Sequence, residues 1–201
     1  MKRKICAIIL PYVLFASNLF AFADDVDSFC VKEPFKYMDL DWGISLHDVT
    51  DKIDDLDLYS IANTVIGDEY WVPDIRGAIL DYPGMHHFVF ENDHLIEGYT
   101  TVDTDHDKMA DYFSDYENIF GYCVDKYGIP QSESILPDCI PHNENEFAEL
   151  LSSYKLHIYW YAEDSSMLEY SAVQYSASDP VKFSLHYYAP KDINVEVNVS
   201  E

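Results

Sequence analysis

The sequence predicts an α+β fold: an antiparallel sheet of about six strands with two main amphipathic helices packed on one face. Met109, Tyr112, Phe113, Tyr116, Ile119, Phe120, Cys123, Val124 and Tyr127 recur at three- and four-residue steps, which is one apolar face of a long helix. Val181, Phe183, Leu185 and Tyr187 alternate with Lys182, Ser184, His186 and Tyr188, the period of two of a strand with one buried side. Residues 88–91 and 95–102 flank Asn92-Asp93, a pair that tolerates the positive φ of a tight hairpin.

Taken in chain order, residues 35–40 read as a strand that Trp42-Gly43 turns into a first helix. Ser45 is positioned to accept from the amide of Asp48 while Asp48 reaches back, and Leu46, Val49, Ile53 and Leu56 form the buried face. His47, Asp51, Asp54 and Asp55 occupy its acidic outer face. A strand at 75–82 precedes the hairpin. The long helix runs for about 20 residues, or ~30 Å. Asp103, Asp105 and Asp107 are available to cap its start and Gly128 and Pro130 punctuate its end. Residues 143–153 suggest a short third helix boxed by Asn143 and Glu146. Strands at 156–160, 168–175 and 181–188 then form a meander, with turns at Ser165-Ser166 and Ser178-Asp179-Pro180. Ile193, Val195, Val197 and Val199 alternate in the polar tail, 191–201, which suits an added edge strand.

The N-terminus carries the pattern of a cleaved export signal. Lys2, Arg3 and Lys4 precede an apolar stretch at 5–20, and Ala21-Phe22-Ala23 is a small-x-small site, so cleavage is expected after Ala23. Pro11, Ser17 and Asn18 interrupt the stretch, against a membrane-spanning helix of ~20 apolar residues. Neither Cys6 nor Cys30 sits where a lipidated cysteine would. The chain therefore divides into a signal at 1–23, an N-terminal segment at 24–34, a single domain at 35–190 and the tail.

Removing the signal takes three of the 12 Lys and Arg and none of the 37 Asp and Glu, leaving a formal charge of −28. Such a surface repels phosphate backbones and anionic headgroups, which excludes nucleic acid as a partner and leaves no stable membrane insertion after cleavage. With 48% hydrophobic residues, 17 Tyr and 11 Phe, the chain folds despite its charge. Cys30, Cys123 and Cys139 remain, an odd number in a compartment that permits disulfides. Cys123 lies on the helix stripe, so Cys30 with Cys139 is the expected pair and Cys123 with Cys139 its rival.

Motifs for chemistry are absent. Asp103, Asp105 and Asp107 open like a calcium loop, but Lys108 replaces the glycine and Ser114 the glutamate that loop needs. His47 and Asp51 lie one helical turn apart without further ligands, and His86 and His87 point to opposite faces of a strand. The remaining histidines have no ligand spacing, and no nucleophile elbow, zinc helix, phosphate loop or dinucleotide fingerprint occurs. No catalytic residue, metal ligand or cofactor is expected. Tyr159, Tyr161, Tyr175 and Tyr188 fall on the faces of their strands opposite the main apolar set, where tyrosine either suits a binding face or pairs across strands and shields the outer face of the sheet.

Trp42-Gly43-Ile44-Ser45-Leu46-His47-Asp48-Val49, the hairpin Phe88 to Leu95 and the helix end Lys126-Tyr127-Gly128-Ile129-Pro130 together resemble a loosely defined group of small exported bacterial proteins of unknown function. The layout is similar, more distantly, to outer-membrane assembly lipoprotein and secreted β-lactamase-inhibitor modules. That resemblance implies protein binding. The expected role is a non-enzymatic module of the bacterial envelope or exterior. Its expected partner is another exported or envelope protein, with a basic surface suiting the acidic chain. A small-ligand or calcium-binding protein is the alternative, and an unrecognised hydrolase the third reading.

Overall fold

The computed structural model describes residues 31–53, 59–63, 67–72, 79–102, 104–130, 140–153 and 156–191. Ala23, Cys30 and Cys139 lie outside them, so the signal cleavage and the expected disulfide do too. Seven strands form one antiparallel sheet: β1 (Tyr59–Asn63), β2 (Asp68–Val72), β3 (Gly84–Glu91), β4 (His94–Val102), β5 (His157–Tyr161), β6 (Met167–Val173) and β7 (Lys182–Tyr188). Their order is β1-β2-β3-β4-β7-β6-β5. Two meanders thus meet at a central β4–β7 pairing. The α+β architecture is the expected one. The helices are α1 (Leu46–Lys52), α2 (Met109–Tyr127) and α3 (Glu144–Ser152). No helix among the described residues is long and apolar enough to cross a membrane.

Local chemistry explains most elements. Ser45 Oγ accepts from the Asp48 amide at 3.1 Å and donates to the Asp48 carboxylate at 2.8 Å, starting α1. Asn92 and Asp93 take φ of 51° and 64° at the β3–β4 tip, the both-positive turn that matches strand twist. Asp93 then accepts from the Leu46 amide, so the hairpin tip also caps the helix. Helix α2 ends at Gly128, φ 82°, whose carbonyl accepts from the Trp160 indole at 2.9 Å. Its N-cap is Lys108, which makes no side-chain cap bond, so the aspartates at 105 and 107 precede the helix without occupying the capping position. Asn143 caps α3 by accepting from the Asn145 and Glu146 amides, and Glu146 accepts in return from the Asn143 side chain.

Helices α2 and α3 seal the inner face of the C-terminal meander. Tyr116 stacks on Tyr170 with centroids 5.8 Å apart, and the fully buried Phe147 lies 5.4 Å from Tyr116 and 6.4 Å from Phe183. Cys123 is a buried free thiol whose pKa burial pushes up to about 12, an inert core residue. Truncating Phe147 to alanine should cost about 3–5 kcal/mol in denaturant unfolding; a loss under about 1 kcal/mol would mean that α3 does not seal the core.

The inner face of the N-terminal meander is filled from residues 35–44, and here the expected strand at 35–40 does not form. Phe35, Tyr37 and Leu40 are buried, but Met38 and Asp39 turn the chain at φ of 52° and 59°. The reason is tertiary. Tyr37 lies flat over Gly98, where an added Cβ would sit 2.0 Å from its ring, so only glycine admits it. The Tyr37 hydroxyl donates to the Tyr99 carbonyl at 2.8 Å, which leaves His86 Nδ1, 2.6 Å away, as the donor to Tyr37. Likewise, the strands preceding the hairpin are β1 and β2, while residues 79–81 of the expected 75–82 strand form a turn and 73–78 lie outside the description.

His86 Nε2 is thereby a buried lone pair without a partner, and a proton placed there would find no acceptor. Burial, with a smaller push from His87, drives the imidazole from 6.5 down to about 4. A folded value below the unfolded one means stability present above pH 6.5 and lost as pH falls toward 4, by about 3 kcal/mol at most. Thermal midpoints measured across that interval should drop, and His86→Phe should lessen the drop; an unaltered profile would place the acid sensitivity elsewhere.

Candidate functional site

The described helices bury their apolar sides in the core on the inner face, leaving the outer face of the sheet uncovered by them. Strand register sets its pattern. One row crosses the sheet as Trp71, His87, Tyr99, His186, Glu169 and Tyr159 on β2, β3, β4, β7, β6 and β5. The next row runs Glu69, Val89, Glu97, Tyr188, Met167 and Tyr161. Rings and carboxylates therefore interleave where a solvated sheet would carry scattered polar residues.

His87, Tyr99 and His186 stack face to face, with centroids 4.1 and 4.3 Å apart and planes within 6° and 10°. Three glutamates hold the rings. Glu69 accepts from His87 Nδ1 at 2.8 Å and from the Tyr99 hydroxyl, and Glu97 accepts from His186 Nδ1 at 2.7 Å. Glu169 accepts from His157 Nδ1 at 2.6 Å, from Tyr188 at 2.9 Å and from Tyr159 at 3.5 Å. These carboxylates are only 15%, 12% and 12% exposed.

Protonation follows from this shielding. Burial, reinforced by Glu69 and Glu97, raises Tyr99 far above the usual phenol range; burial and Glu169 do the same to Tyr188. Tyr159 is pushed up to about 12, again by burial first and then by Glu169. Burial pushes the Glu169 carboxyl up, but the His157 and Tyr188 bonds with the nearby histidine charges outweigh it and hold it below its usual value. Burial lowers His87 against the opposing pull of Glu69. Around Glu169, then, a carboxyl held below its usual value lies under phenols held above theirs.

A carboxylate behind each of His87, His157 and His186 is the support that metal-binding histidines use. Here Tyr99 stands between His87 and His186 at stacking distance from both, so they cannot share an ion with bonds near 2.0–2.2 Å. No group of three or more His, Cys, Asp or Glu among the described residues could hold a metal. On the helical side, His106 Nε2 lies 2.6 Å from Asp115 and the Tyr82 hydroxyl donates to the same carboxylate at 2.7 Å. The phenol gives its proton to the carboxylate instead of to an imidazole, and burial raises its pKa, the opposite of nucleophile activation.

No family model, curated protein or solved structure matches the chain. The candidate site consequently stands on its own geometry.

Tyr159, Tyr161 and Tyr188, expected on the basis of strand parity, lie on this face, whereas Tyr175 falls two residues beyond β6 in the following turn, 68% exposed. Parity also separates His86 inward from His87 outward. Glu69, Glu97, Tyr99 and Glu169 carry no signal in the sequence, and His87 and His186 none that joins them, because only register across strands brings these residues together. One end of the face opens into a cleft of about 650 Å³ lined by Glu91, Ile96, Tyr161, Ala162, Ser165, Met167, Tyr188, Ala189, Pro190 and Lys191.

Glu169→Gln should leave the fold intact but weaken the face. Turning a three-donor acceptor into an amide should cost about 1–3 kcal/mol, and Tyr159 should titrate below its present value of about 12 in a spectrophotometric titration. An unshifted Tyr159 would detach Glu169 from the ring network.

Proposed function

We propose that this chain is an exported, acidic, non-enzymatic module of the bacterial envelope or exterior that binds a protein with a basic surface on the outer face of its sheet. The observation that carries this reading is the stack of the half-buried Tyr99 and His186 on the buried His87, above largely buried carboxylates, a face whose rotamers are already fixed. Rings locked before contact lose little entropy on binding, and tyrosine offers apolar area and a hydroxyl together. The formal charge of −25 favours a basic partner and steers its approach. Export is supported by the N-terminal pattern ending at Ala23 and by the resemblance at Trp42 to Val49 and Lys126 to Pro130.

Capture of envelope and culture proteins on the immobilised chain should yield a saturable basic partner whose on-rate falls steeply from low to physiological salt. Tyr159→Arg with Tyr161→Arg should abolish that capture, while Glu117→Arg, on the exposed side of α2, should reduce the on-rate only modestly. Equal capture by the tyrosine variant and the parent would overturn the assignment of the face.

A further inference from the structure

At the cleft the aromatic face ends in a slot. Register sets Tyr188, Met167 and Tyr161 side by side on β7, β6 and β5. On β4 a bulge leaves Ile96 as the extra residue between the pairs Phe90–Leu95 and Val89–Glu97, which re-aims it as a cleft-lining side chain. The Tyr188 ring lies within 16° of the His186 plane, and His186 is stacked on Tyr99 across neighbouring strands. Tyr188 therefore stands on edge to the sheet and turns one face toward Met167 and Tyr161. Tyr161, 39% exposed, is two strands away, so the backbones carrying the two rings are about 9.6 Å apart with Met167 between them. A flat group in contact with both rings needs about 7–8 Å, which that spacing admits above Met167.

Charge selects among flat groups. Glu91 lines the cleft, Glu97 neighbours Tyr188 in the row, Glu169 accepts the Tyr188 hydroxyl, and Glu163 and Asp164 lie in the turn between β5 and β6. Among the described residues of the lining, Lys191 is the one basic side chain. An anion, a lipid headgroup or a second copy of this acidic chain meets repulsion there. A guanidinium fits both requirements, since it is planar, weakly hydrated and able to stack on tyrosine while its N–H fork reaches carboxylates. Its methylene stem suits Met167 and Ile96. A lysine ammonium, a compact and strongly hydrated point charge, would leave the ring faces unmatched.

We infer that the cleft docks an arginine side chain of the basic partner, an inference that rests on the reading of the outer face as a binding surface. The test uses the whole chain with ¹³C-labelled methionine methyls, the Met167 signal being assigned through Met167→Leu. The probes are blocked Gly-X-Gly peptides in which X is arginine, lysine, citrulline or leucine. The arginine peptide should shift the Met167 methyl saturably and bind about 5- to 30-fold tighter than the lysine peptide. Citrulline, flat but uncharged, should bind more weakly than arginine, and Tyr161→Ala should weaken arginine binding about 5-fold. Tyr188→Phe should preserve it, because the ring face remains. Leucine or citrulline equal to arginine, or a Met167 methyl that moves for none of the peptides, would overturn arginine docking. If a basic protein still binds the face in that case, the arginine site alone falls; if none binds, the binding surface falls with it.

Discussion

The pairing of β4 with β7 is the constraint on which the molecule depends. It joins Glu97 to Tyr188 and Val102 to Phe183, and its outer-face partners Glu97 and His186 are 89 residues apart in sequence. Closing a span of that length costs little more than closing a shorter one, since loop entropy grows only logarithmically. Once closed, it builds both faces. Inward, Gly98 and Thr100 come beside Tyr187 and Leu185, making the floor on which Tyr37 lies; outward, Tyr99 meets His186. The intervening α2 and α3 then cover the half of the sheet that returns.

The two faces solve the burial of polar groups differently. On the inner face a neutral imidazole, His86, shares one proton donor with Tyr37 and Thr100 and leaves its other nitrogen bare. Charge is simply excluded. On the outer face three carboxylates lie under rings, and the cost of removing them from water is offset by hydrogen bonds with histidine and tyrosine. Adjacent residues, His86 and His87, fall on these opposite faces because successive strand side chains alternate, and each keeps a buried Nε2 without a hydrogen-bond partner. The cleft sits where the outer arrangement runs out, between β5, β7 and the bulged β4.

Elements governed by neighbours in sequence were legible. The helix Met109–Tyr127 follows from its 3.6-residue pattern and Gly128, the hairpin from Asn92-Asp93, and the α3 start from Asn143 with Glu146. The strand expected at 35–40 failed because Tyr37 answers to partners 49, 62 and 63 positions away, and their demand turns the backbone at Met38 and Asp39. Asp105 and Asp107 precede α2 without capping it, since Lys108 occupies that position, and Asp103 lies outside the described residues. For the candidate site, alternation alone assigned Tyr159, Tyr161 and Tyr188 to the outer face. It said nothing of which strand lies beside which.

By itself, then, the sequence determined α2, α3, the β3–β4 hairpin and the C-terminal meander, and which of their side chains share a face, because periodicity, caps and turn residues act within a few positions; it showed neither β1 and β2 nor the turn at Met38 and Asp39. The tertiary structure alone decided the order β1-β2-β3-β4-β7-β6-β5, and with it the His87–Tyr99–His186 stack, the neutral state of His86 and the slot between Tyr161 and Tyr188. Each of these requires groups from strands far apart in the chain to come within bonding distance, and only the closed sheet brings them there.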